Sequence, residues 1–85
     1  MEKTLTYQTK GTCARAIELV LDDGIIVSAR FVGGCSGNTQ GVAALVKGME
    51  IKEAISRLKG IRCGMKPTSC PDQLALALEQ FQNEQ

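Results

Sequence analysis

Ile17-Glu18-Leu19-Val20-Leu21-Asp22-Asp23-Gly24-Ile25-Ile26-Val27-Ser28-Ala29-Arg30-Phe31 is the stretch on which the fold turns. Side chains along a strand point to alternate faces. Over residues 15–21 that alternation puts Ile17, Leu19 and Leu21 on one face and Ala16, Glu18 and Val20 on the other. Asp22-Asp23-Gly24 then interrupts the pattern, and an Asp-Gly pair tolerates the positive φ angles of a type I′ turn, so the spacing predicts a hairpin. Residues 25–32 form the return strand, with Ile25, Val27, Ala29 and Phe31 alternating against Ile26, Ser28, Arg30 and Val32. Upstream, residues 4–9 alternate Leu5 and Tyr7 against Thr4, Thr6 and Gln8, until Lys10-Gly11-Thr12 breaks the run ahead of Cys13. Three such segments joined by short connections read as an antiparallel meander.

Downstream the period changes. Gly33-Gly34-Cys35-Ser36-Gly37-Asn38 is a tight, glycine-rich loop, after which Asn38 or Thr39 is placed to cap a helix running to about Lys47, with Gly48 as its stop. The expected apolar face of that helix is Val42, Leu45 and Val46. A second helix is expected over roughly 50–59, where Ile51, Ala54, Ile55 and Leu58 recur at i, i+3, i+4 and i+7, and Gly60 ends it. Residues 61–70 read as a loop. The last helix begins with Ser69 or Cys70 as cap, Pro71 in the first turn and Asp72 complementing the helix dipole. Its buried stripe is Leu74, Ala77, Leu78 and Phe81, with Leu76 pointing the other way, either as a plain exposed leucine or as a contact surface. The expectation is an α+β fold: one domain over residues 1–85, a three-stranded antiparallel meander followed by three helices, with no linker or repeat.

Composition narrows what such a domain does. A chain of 85 residues buries only about 60–65% of its unfolded surface and is marginal without a staple. It has no histidine, which excludes Ser-His-Asp and Cys-His catalytic units within the chain and mixed Cys/His zinc fingers. A net charge of +1, a pI near 7.6 and only Tyr7, Phe31 and Phe81 as aromatics disfavour capture of nucleic acid by charge or stacking. No apolar run approaches the roughly 18 residues needed to span a bilayer, and the first ten residues lack a signal-peptide core. The expected address is cytoplasmic, where thiols stay reduced and cysteines read first as metal ligands or redox groups.

There are four cysteines. Cys13 sits just before a strand, Cys35 in the glycine-rich loop, Cys63 in a loop and Cys70 at a helix start, all outside the apolar stripes. No two form C-x-x-C, so neither a zinc ribbon nor a thioredoxin-type dithiol is indicated. Four thiolates satisfy tetrahedral zinc or an iron–sulfur cluster. A helix N-terminus favours the thiolate form, at Cys70 most directly and at Cys35 more weakly. Glycines beside Cys35 and Cys63 leave backbone N–H groups free to bond metal-bound sulfur. Two other readings stand beside this one: a redox disulfide, with Cys63 and Cys70 as the pair, and reduced thiols simply packed at element ends. The glycine-rich loop lacks the Gly-Lys-Ser/Thr of a phosphate-binding P-loop. Asp22 and Asp23 read as a turn, Glu50 and Glu53 as a solvated helix face, and Arg15 and Lys66 as surface cations.

Thr68-Ser69-Cys70-Pro71-Asp72 spells the signature of the TSCPD domain family, and Gly11-Thr12-Cys13-Ala14, Phe31-Val32-Gly33-Gly34-Cys35-Ser36-Gly37-Asn38 and Lys59-Gly60-Ile61-Arg62-Cys63-Gly64 also look like that family. The resemblance covers nearly the whole chain. Such domains occur alone and as C-terminal extensions of adenosylcobalamin-dependent ribonucleotide reductases and are generally thought to bind metal. The resemblance thus implies a link to deoxyribonucleotide synthesis, although the chain is far too short to be a reductase catalytic subunit.

A more distant resemblance is to the U-type (NifU-like) iron–sulfur cluster scaffolds, whose three cysteines match Cys13, Cys35 and Cys70 in order and bind zinc or an assembling cluster. The chain departs from that pattern: Arg15 stands where the scaffold has an aspartate, Ser69 where it has a histidine, and Gly64-Met65-Lys66-Pro67 does not preserve its chaperone-binding segment. Cys63, absent from the scaffold pattern, would supply a fourth thiolate and close the shell. The combined expectation is a cysteine-ligated metal site made of Cys13, Cys35, Cys63 and Cys70, holding zinc or an iron–sulfur cluster. It would serve an accessory module whose partner is a ribonucleotide reductase, with no catalysis by the isolated chain. Any activity would be linked to ribonucleoside-diphosphate reductase. A thiol/disulfide helper for a reductase and a NifU-like scaffold are the alternatives. Neither nucleic acid nor membrane is expected as a partner, and self-association stays open.

Overall fold

The computed structural model describes residues 2–11, 14–33, 36–62 and 68–83, the side chains of 36–38 and 83 excepted. The element order is β1 (Glu2–Gln8), β2 (Ala14–Asp22), β3 (Ile25–Gly33), α1 (Ser36–Val46), α2 (Ile51–Leu58) and α3 (Cys70–Asn83). The strands form one antiparallel sheet in the order β1-β2-β3, so the expected meander followed by three helices is the observed architecture.

The hairpin is the one the sequence specifies. Asp22 pairs with Ile25, and the two residues between them, Asp23 and Gly24, both take positive φ, 52° and 79°, as a type I′ turn requires. Beyond the turn the β2–β3 register shifts twice, once between Ala14 and Ala16 at the far end and once beside the turn. Val20 pairs with Ser28 but Leu21 pairs with Ile26, leaving Val27 without a partner as a bulge. The extra residue shifts the phase of β3. Ile26 is fully buried opposite Leu21, while Ala29 and Phe31, opposite Leu19 and Ile17, pack on the same core. The alternation had set Ile26 on the face away from Ala29 and Phe31; the bulge is the reason they share one.

The core lies between this face of the sheet and the helices. Ile17, Leu19, Leu21 and Ile26 from the sheet meet Val46 of α1, Ile51 and Ala54 of α2, and Leu74, Ala77 and Leu78 of α3. Ile55, Leu58 and Phe81 pack against its margin, so the expected stripes of α2 and α3 are the observed ones. The first helix departs from its expected pattern. It begins at Ser36, so Asn38 and Thr39 lie inside it rather than capping it. Leu45, expected on its buried face, is 76% exposed, while Thr39 is 5% exposed. The helix is oriented by Thr39, Val42 and Val46 at i, i+3 and i+7, and Leu45 falls off that line. Leu76, expected to point outward from α3, is partly buried.

Chain direction gives the molecule two poles. The hairpin pole carries the β2–β3 turn, where the segment after α1 docks on β3: the N–H of Ile26 donates to the carbonyl of Met49 at 2.9 Å, that of Gly48 to Ile26 at 2.7 Å and that of Ile51 to Gly24 at 2.9 Å. The opposite pole gathers the end of β1, the start of β2, the end of β3 and the first residues of α1 and α3. Among the described residues, no helix is long and apolar enough to cross a membrane.

Candidate metal centre

The N-terminus of α3 organises this second pole. Ser69 is the cap: the Asp72 N–H donates to Ser69 Oγ at 3.2 Å, and the first helical bond runs from the Gln73 N–H to the Ser69 carbonyl at 2.8 Å. Cys70 is the first helical residue, 6% exposed. Around it residues 68–75 are all buried. Buried polar groups are costly unless bonded, and among the described residues no buried side-chain N or O atom lacks a partner.

Those partners reach into the segments that lead to the other cysteines. Asp72 Oδ1 accepts the N–H of Gly60 at 2.7 Å, and Asp72 Oδ2 accepts the Thr68 hydroxyl. Ser69 Oγ donates to the Ile61 carbonyl at 2.6 Å, two residues before Cys63. Gln73 spans a second junction: its Oε1 accepts the Lys10 N–H at 3.1 Å and its Nε2 donates to Thr68 Oγ1 at 3.1 Å. Gly11, with φ 75°, approaches so closely that a Cβ there would meet Thr68 Cγ2 at 3.0 Å. Thr9 bonds across to the start of β2: its N–H donates to the Arg15 carbonyl at 3.2 Å and its hydroxyl to the Ala14 carbonyl at 2.5 Å. Ala14 in turn pairs with Gly33, two residues before Cys35, and Ser36 directly after Cys35 opens α1.

The described neighbours of all four sequence-predicted ligands therefore meet at one pole. Cys70 is placed there itself; Cys13, Cys35 and Cys63 lie outside the described residues, as does Lys66. Groups of three or more metal-binding side chains are absent among the described residues, which include one of the four cysteines. Two helices begin at this pole, so the positive ends of both helix dipoles face it. Arg15 is exposed, as a surface cation would be.

Sequence reasoning assigned Asp72 only to the helix dipole and did not single out Gln73. The available signal was polar density: Thr68, Ser69, Asp72 and Gln73 crowd the first turn of a helix whose next residues are apolar, a sign that the turn is buried and that its polar groups answer to other backbone.

The fold and this pole together define a small α+β domain whose signature residues form a buried polar hub at a helix start. The family model of the TSCPD domain matches residues 2–82, and the chain belongs to that family. Neither the curated proteins nor the solved structures contain a significant match to it.

Proposed function

We propose that the chain is a metal-binding accessory domain in which Cys13, Cys35, Cys63 and Cys70 hold one zinc ion or iron–sulfur cluster, serving ribonucleotide reduction through a partner reductase. The observation that carries the reading is that described neighbours of Cys13 and Cys63 are hydrogen-bonded to the start of α3, where Cys70 lies, while Gly33, two residues before Cys35, pairs with Ala14. The donor set fits: four soft thiolates and no histidine suit zinc or an iron–sulfur centre. A bound metal would supply a cross-link between distant segments, which a domain of this size gains from. An all-cysteine shell has no open position, so the centre is structural or retained rather than catalytic.

Elemental analysis of anaerobically purified protein tests this. About one equivalent of zinc, or iron with matching sulfide and its charge-transfer absorption, is expected; less than roughly a tenth of an equivalent overturns the metal reading. A Cys→Ser series should lower retention at each of the four positions. Co-purification with an adenosylcobalamin-dependent reductase subunit checks the partner. A metal-free chain with a reversible Cys63–Cys70 disulfide would instead establish the thiol/disulfide helper, against which the burial of Cys70 weighs.

A further inference from the structure

Two adjacent side chains, Asp72 and Gln73, bind backbone on two segments that are distant in sequence from each other. Asp72 holds Gly60, three residues before Cys63, and Gln73 holds Lys10, three residues before Cys13; the Thr68 hydroxyl joins the two side chains into one unit. Asp72 is 8% exposed and Gln73 5%, so breaking these bonds strands buried acceptor oxygens even though Lys10 and Gly60 themselves lie at the surface. Gly11 packs on Thr68 from the Lys10 side. We infer that Asp72 and Gln73 are positioning residues that gather the Cys13 and Cys63 segments around the start of α3 before any metal arrives, so that the site is preorganised by hydrogen bonds rather than assembled by the ion.

The inference rests on the cysteine-centre reading for its purpose, but its first test needs no metal. In the reduced wild-type chain with excess chelator, the amides of Lys10 and Gly60 should exchange slowly with solvent deuterium. Gln73→Met, close in shape but without either polar atom, should free Lys10 while leaving Gly60 and the core amides protected. Gln73→Glu, which keeps an acceptor for Lys10 but loses the donor to Thr68, should restore that protection in part. In the second test, zinc affinity measured by competition with a chromophoric chelator should fall about 10–100-fold in Gln73→Met, the range seen when outer-shell partners of metal ligands are removed. A merely structural role would lower the chelator-state unfolding midpoint and leave that affinity unchanged. Should Gln73→Met fail to fold, Gly11→Ala strains the same junction from the other side. Amides of Lys10 and Gly60 that become protected only when zinc is added would overturn the inference while leaving the metal reading intact; so would an unchanged zinc affinity in Gln73→Met. A wild-type chain that takes up no zinc or iron removes the metal reading alone, because the exchange experiment still decides whether the segments are held.

Discussion

At the hairpin pole the chain is held by apolar area and backbone pairing: Leu21 and Ile26 are buried side by side, Ile51 seals them, and the Gly48–Ile51 segment bonds the edge of β3. At the Cys70 pole the same small chain relies on buried polar side chains: Ser69, Asp72 and Gln73 each satisfy a group that another segment supplies, and Thr68 links Asp72 to Gln73. The difference lies in reversibility and specificity. Apolar burial is non-directional and tolerates near-isosteric exchange. A buried hydrogen-bond hub accepts only one arrangement of the segments it joins and penalises every partial one. A pole built that way suits the joining of segments that come from separate places in the chain.

Substitutions can break or sharpen this contrast. The largest effect is expected from Leu78→Ala or Leu74→Ala: both side chains are fully buried in the common core, and truncation should cost roughly 2–5 kcal/mol, lowering the denaturant midpoint of the whole chain. Asp72→Ala should come next. It removes the acceptor of both the Gly60 N–H and the Thr68 hydroxyl proton, a cost of roughly 1–3 kcal/mol. Amide exchange should show the loss concentrated at the Cys70 pole; uniform loss down to the hairpin would dissolve the distinction between the poles. Gly24→Ala should cost about 1–2 kcal/mol through backbone alone, since φ is +79° and a Cβ there meets nothing within 4 Å. Gly24→Asn, which tolerates left-handed φ better, should recover part of it on thermal unfolding. The smallest change is expected at Glu18→Ala. Its 2.9 Å pair with Arg30 lies on the outer face of the sheet, with side chains 45% and 74% exposed, so the loss should stay under about 1 kcal/mol and vanish in high salt.

Legibility in the sequence followed the same division. The meander, the Asp23-Gly24 turn, the stripes of α2 and α3 and the Ser69 cap each depend on residues close together in the chain, and each was readable. The bulge at Val27 was not, because Ile25-Ile26-Val27 is apolar throughout and offers no break in the alternation to mark where the phase shifts. Nor was the orientation of α1. Leu45 is the more apolar candidate, yet the short helix is aligned by Val42, Val46 and the partnered Thr39. The cysteines were readable as a set, but the meeting of their described neighbours Lys10, Gly33 and Gly60 at the pole of Cys70 was not, since spacing alone carries no distance.

The sequence by itself determined the elements, their order and the supply of four thiols without histidine, because helix and strand periodicity, turn chemistry and composition are local properties. Only the tertiary structure decided that Lys10, Gly60 and Gly33 lie at one pole with Cys70. Those contacts join residues as many as 63 positions apart, and their partners are backbone N–H groups, which every residue but proline carries and which no sequence pattern can single out.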